Sequence, residues 1–201
     1  MSNHVFVNCP FDDKYLPLLK ALLFSLIRIG YEPRLALERS NSAEVRLDKI
    51  KQLIEESDFG IHDLSRSKSK TVGEYYRLNM PFELGLDLGF RDYANRKSSK
   101  PILILEEERY STQKALSDLS FADCKCHKGQ AEEMVYEVRD WFADIHDPKK
   151  TIGPAQLWNE YNEFNSFLLT TLHDSGYNAK TVKRLRIPEF MQYAKEFIAG
   201  R

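Results

Sequence analysis

The chain has 201 residues, enough for one full domain with an appendage or at most two small domains. Apolar residues make up 42% and charged residues 29%, an ordinary globular composition, and a formal net charge of −1 supplies no basic field for nucleic acid or an anionic membrane. No apolar run reaches the length of a bilayer span, Met1-Ser2-Asn3-His4 is not a secretory signal, and three cysteines are too sparse for a disulfide framework, so a cytoplasmic protein is expected.

His4 to Asn8, ended by Cys9-Pro10, predicts a first strand. In the loop that follows, Asp12 or Asp13 is placed to cap a helix from Tyr15 to Ile29, whose apolar residues Leu16, Leu19, Leu22, Leu23, Leu26 and Ile27 give it a wide buried face before Gly30 stops it. Pro33 to Glu38 predicts a second strand. Ser42 then caps a helix through Glu56 with Val45, Ile50, Leu53 and Ile54 inward, and Asp58 to Leu64 predicts a third strand. A basic loop, Ser65 to Glu74, leads to the stretch from Tyr75 to Leu86.

That stretch admits two readings. Met80, Phe82, Leu84, Leu86, Leu88 and Phe90 alternate as in a strand, but Pro81, Gly85 and Gly89 make a poor strand. Asn79 as N-cap with Pro81 in the first turn predicts a buried helix whose glycines let it lie close to a sheet. Glu83 then falls in the first turn, where the helix dipole favours its ionised form. Lys100 to Glu106 is the clearest strand, apolar throughout as parallel core strands are. A short helix over 112–119, a weak strand over 121–127 and an amphipathic helix from Gln130 to Ile145 complete the series.

Asp147-Pro148-Lys149-Lys150 marks the break between a domain at 1–147 and a helical extension at 148–201, with helices from Ala155 to about His173 and from Pro188 to Ile198. Their stripe of Trp158, Tyr161, Phe164, Phe167 and Leu168 predicts core packing or a homo-oligomer interface. The basic run from Lys180 to Arg186 reads as solvated charge, not as a nucleic-acid surface. Strand and helix alternate at short spacing, which predicts an α/β fold: a doubly wound, mainly parallel sheet with a C-terminal helical extension.

Ligands of such sheets bind outside the carboxyl ends of the strands, here at Asn8-Cys9-Pro10, Glu38-Arg39-Ser40, Asp63-Leu64-Ser65 and Glu106-Glu107-Glu108. Asp63 and Glu83 are expected to approach one another at that rim. No glycine fingerprint, no glycine-lysine phosphate loop and no Gly-x-Ser-x-Gly elbow is present, which argues against a Rossmann dinucleotide mode, a P-loop and a serine hydrolase. Cys124-Lys125-Cys126-His127 lacks the second ligand pair that a zinc site needs, so no metal is expected. A carboxylate pair in a cleft suits cleavage of a sugar bond through an oxocarbenium-like transition state.

Ile54-Glu55-Glu56-Ser57-Asp58-Phe59-Gly60-Ile61-His62-Asp63-Leu64-Ser65, then Tyr76 and Phe82-Glu83-Leu84-Gly85, resembles the superfamily that joins nucleoside 2-deoxyribosyltransferases with TIR-like domains. The opening Val5 to Lys14 is similar to the TIR first strand and its loop, and the resemblance covers about residues 4–146. It implies a flavodoxin/TIR-like sheet and an enzyme that cleaves or transfers an N-glycosidic bond of NAD or of a nucleoside or nucleotide, the nucleotide being substrate and no separate cofactor being needed. Glu83 takes the role of the carboxylate at the anomeric carbon and Asp63 that of the aspartate holding the nucleoside. Asn8, Pro10, Phe11, Asp12, Ser65, Arg77, Asn79 and Phe82 become the candidate substrate contacts, with Arg77 and the Ser65–Lys70 loop able to meet a phosphate. Such domains often serve in bacterial immunity. The sequence departs from the pattern at Arg77-Leu78-Asn79-Met80-Pro81-Phe82, where the transferases carry small residues, and at Tyr75-Tyr76, where TIR domains carry a tryptophan-cysteine pair. A non-catalytic nucleotide-sensing or self-associating module is the alternative. A receiver-like domain ranks third, since Asp12-Asp13 and Asp63 fit it but Glu106-Glu107-Glu108 stands where its lysine belongs.

Overall fold

Short strands rich in β-branched and aliphatic residues, apolar on both sides, select a parallel sheet covered on two faces. The structure, a computed structural model, contains one and describes residues 3–38, 43–66, 73, 78–94, 100–120, 122–146 and 151–201. The strands β1 (His4–Asn8), β2 (Glu32–Arg34), β3 (Phe59–Asp63), β4 (Ile102–Glu106) and β5 (Lys125–Cys126) pair in parallel in the order β2-β1-β3-β4-β5. This is the flavodoxin-like order of a doubly wound sheet, whose winding reverses between β1 and β3. The helices are α1 (Leu16–Arg28), α2 (Arg46–Glu56), α3 (Asn79–Tyr93), α4 (Ser111–Ala115), α5 (Ala131–Ile145), α6 (Pro154–Asp174), α7 (Ala179–Val182) and α8 (Ile187–Ala199), with a 3-10 turn at Ser117–Leu119.

The two-residue period of a strand divides the core between the two faces. Val5, Val7, Ile61, Leu103 and Leu105 join the buried sides of α1 and α5 in one large cluster. Phe6 packs instead against Ile50, Leu53 and Ile54 of α2, and Ile104 against Met80 and Leu84 of α3. The C-terminal helices add a further layer: Phe164 of α6 stacks on the fully buried Phe24 of α1 with ring centroids 5.0 Å apart, and Phe190 of α8 meets Phe164. Residues 154–201 therefore pack on the α/β layer: Tyr161, Phe164 and Leu168 of the expected stripe belong to the same cluster as β1 and β4, Trp158 packs against it, and Phe167 is exposed. Polar clasps reinforce the contact. Arg28 Nε of α1 donates to Glu160 Oε2 of α6 at 2.5 Å, and Lys195 Nζ of α8 lies 2.7 Å from Glu32 of β2.

Four local expectations change. The second strand covers Glu32–Arg34 rather than Pro33–Glu38, because Arg34 turns its guanidinium onto Glu38 and Glu56 and the Glu38 N–H closes a turn on the Leu35 carbonyl. Val45 takes the cap position of α2 in extended backbone and is 62% exposed instead of buried; Ser42, the expected cap, lies outside the described residues. Leu78, not Asn79, occupies the cap position of α3, so Glu83 is the fifth helical residue, past the first turn and its dipole. Gly85 and Gly89 face open space, so they do not bring α3 close to the sheet. The close approach is made on the strand side at Gly60, where an added Cβ would stand 2.5 Å from Asp87 Oδ2. Among the described residues no helix is long and apolar enough to cross a membrane.

Candidate functional site

At the carboxyl end of β3 two adjacent polar residues, His62 and Asp63, point to opposite faces of the sheet and both are fully buried. On the α2/α3 face, Asn8 at the end of β1 spends both amide protons. One goes to His62 Nδ1 at 3.0 Å and the other to the Met80 carbonyl at 2.9 Å, in the first turn of α3. His62 Nε2 then donates to Asp87 Oδ2 at 3.0 Å, and Lys100 Nζ sits 2.8 Å from Asp87 Oδ1 while also donating to the Ile54 carbonyl. Burial lowers the His62 pKa, against the pull of Asp87, and keeps the ring neutral. Burial pushes Asp87 up, but its bonds to His62 and Lys100 outweigh that and the net shift is down. This network fixes the start of α3 on the sheet.

On the α1/α5 face, Asp63 is saturated. Its Oδ1 accepts the Ser65 N–H at 2.9 Å and the Ser65 hydroxyl; its Oδ2 accepts the Tyr15 hydroxyl at 2.5 Å and His127 Nε2 at 3.0 Å. The Gly129 N–H donates to His127 Nδ1 at 3.0 Å, which leaves Nε2 as the protonated nitrogen. Burial alone would raise the Asp63 pKa; the hydrogen bonds from His127, Ser65 and Tyr15 take it below the ordinary aspartate value. The same burial and the Asp63 charge push the Tyr15 phenol well up.

Glu83 differs from every other buried carboxylate among the described residues. Asp63, Asp87, Glu106 and Glu160 each have two or more close donors; for Glu106 these are the Tyr110 and Thr112 N–H groups and the Ser111 hydroxyl. Glu83 is 6% exposed and is met by one partner, Arg46 Nη2, 3.5 Å from Oε1. Its Oε2 has no hydrogen-bond partner among the described residues. Burial raises its pKa above the ordinary 4.5, with Arg46 opposing, whereas Asp63, Asp87 and Glu160 are all lowered. A buried carboxylate with a raised pKa and one loose partner at a sheet rim is a candidate for chemistry.

The residues expected to touch substrate are gathered at the rim, but most are engaged inside the protein. Asp63 lies toward α1 and Glu83 toward α2, on either side of the end of β1; the charges of both, with that of Asp12, reach the buried Cys9 thiol there and push it well up, after burial itself. Asp12 accepts the Tyr15 N–H at 3.1 Å and holds Arg66 through two bonds of 3.0 and 3.1 Å. Asn8 and Ser65 have the bonds given above, and Pro10 is buried. Phe11 is 36% and Phe82 56% exposed, Asn79 is exposed, and Arg77 lies outside the described residues. Tyr15, Arg46, His62, Asp87, Lys100 and His127 escape the sequence reading. Two of them leave a trace there: His62-Asp63 is a polar pair closing an apolar strand, and Asp87 follows Glu83 by one helical turn. No protein-family model matches the chain, and no curated protein matches it either.

Proposed function

We propose that the chain is an N-glycosidic bond hydrolase or transferase of the TIR-like and deoxyribosyltransferase-like kind, acting on NAD or another nucleotide, with Glu83 as the reacting carboxylate. The observation that carries this reading is the isolation of Glu83: of the five buried carboxylates among the described residues, it alone has a single partner, Arg46 at 3.5 Å, and burial raises its pKa. A carboxylate withdrawn from water and weakly paired is a better base and nucleophile than a solvated one. In the reaction the C1′–N bond breaks and its electron pair leaves with the base. The sugar carbon becomes oxocarbenium-like, Glu83 faces or captures it, and water or an acceptor hydroxyl completes the exchange. Phe11 and Phe82 offer exposed aromatic surface for the base at the same rim. Asp63 is assigned a positioning role, since all its lone pairs are filled.

The engaged state of Asn8, Asp63 and Ser65 favours one other reading, a nucleotide-sensing module without turnover. The test separates the two. Purified protein is incubated with NAD and a panel of nucleosides and nucleotides, and released base is measured by chromatography. Glu83→Gln is expected to lower base release by roughly 10²–10³-fold or more. It should not lower the melting temperature near neutral pH, because burial disfavours the charge it removes. Full activity in Glu83→Gln refutes the assignment, and no base release from any substrate refutes the enzyme.

A further inference from the structure

We infer that Arg46 is the residue through which this site recognises a phosphate-bearing ligand, its guanidinium bridging Glu83 and a ligand phosphate. The inference rests on Glu83 being the reacting carboxylate and adds the substrate class, a nucleotide in preference to a nucleoside.

The argument starts from unequal engagement. Arg34 is bonded to Glu38 and Glu56, and Arg66 to Asp12 with Glu107 also near at 3.5 Å; both guanidinia are mostly covered. Arg46 opens α2 at the carboxyl end of the sheet, its side chain is 56% exposed, and its one partner among the described residues is Glu83 at 3.5 Å. That distance is at the outer limit of a hydrogen bond and leaves most of the five guanidinium N–H groups unused. A planar fork of this kind donates bidentately to a phosphate while one N–H stays on the carboxylate.

The apolar surroundings supply the rest of a nucleotide's shape. Val45 and Leu47, which flank Arg46 in the chain, are 62% and 37% exposed, and Leu78 and Phe82 at the start of α3 are 67% and 56% exposed. Two helix starts thus present apolar surface beside one loosely paired cation and one reactive carboxylate. A base, a phosphate and the sugar carbon between them match these three elements.

The test is calorimetric titration with adenosine monophosphate and with adenosine, needing no turnover. The wild-type protein should bind the monophosphate at least about tenfold more tightly. Arg46→Ala should bring the two ligands to equal affinity and Arg46→Lys should keep part of the difference. Glu83→Gln should bind the monophosphate as tightly as wild type or more so, because a competing negative charge is gone. Arg46 is exposed, so unchanged melting temperatures are expected for Arg46→Ala and Arg46→Lys. Equal affinities in the wild-type protein, absence of binding, or a preference that survives Arg46→Ala overturns the inference. Base release by Glu83→Gln at the wild-type rate would instead overturn the catalytic assignment while leaving the phosphate preference standing.

Discussion

Replacing Gly60 by alanine tests the buried polar layer beneath the site. The new Cβ would stand 2.5 Å from Asp87 Oδ2, 3.2 Å from His62 Nε2 and 3.4 Å from Ile102 Cγ1. Reaching ordinary contact requires the Asp87 oxygen to retreat by about 0.9 Å. Asp87 is fully buried and tied to His62 at 3.0 Å and Lys100 at 2.8 Å, so a retreat of that size takes one of these bonds beyond hydrogen-bonding range. Overpacking costs about 1–3 kcal/mol and breaking a buried pair about 3–5 kcal/mol, so a loss near 3 kcal/mol is expected. Urea unfolding measures it, and Asp87→Ala supplies the second arm of a double-mutant cycle. With the carboxylate gone, Gly60→Ala should cost less than about 1 kcal/mol, since alanine is otherwise the better strand residue. A loss below about 0.5 kcal/mol, or the same loss in both backgrounds, would refute the steric reasoning.

Asp63, Asp87 and Glu160 are all held below their ordinary pKa values of 3.8, 3.8 and 4.5, so each stabilises the fold above its unfolded pKa and that stabilisation is lost as pH falls toward the folded one. Melting temperature should therefore drop steeply below about pH 4, and a flat profile there would show that the buried networks contribute nothing. Phe164→Ala should cost about 3–5 kcal/mol in urea unfolding, because the ring is fully buried against Phe24 and Phe190; a cost under about 1 kcal/mol would mean that α6 rests on the domain without sharing its core.

Much of the architecture was legible in the sequence because it rests on periodicity. The apolar runs at β1, β3 and β4 and the heptad-like faces of α1 and α5 fix a parallel sheet with helices on both sides. The edge strand is shorter than its apolar pattern suggests because Arg34 pairing with Glu38, a local polar contact, ends it early. Gly85 and Gly89 look like packing residues in the sequence, while the glycine that admits a neighbour is Gly60, whose partner Asp87 lies 27 positions on. At the site, Glu83 was readable as an acid among apolar residues, but its isolation was not, since that depends on which donors the other carboxylates collect. The saturation of Asp63 by Tyr15 and His127 joins positions 48 and 64 residues away, and no local pattern announces such pairings.

The enclosure of α1 has a consequence for how the protein is made. The helix forms from residues 16–28, yet its outer face is sealed by Phe164, Phe190 and Phe197, and Arg28 finds Glu160 only across 132 positions. At ribosomal speeds of about 5–20 residues per second, Phe24 must wait on the order of ten to thirty seconds for its partners. During that interval the nascent chain presents an apolar helix face that the sheet alone cannot cover. Synthesis of α6 and α8, rather than of the last strand, is the event that completes the core, so products stalled before these helices should be the species that chaperones and proteases find first.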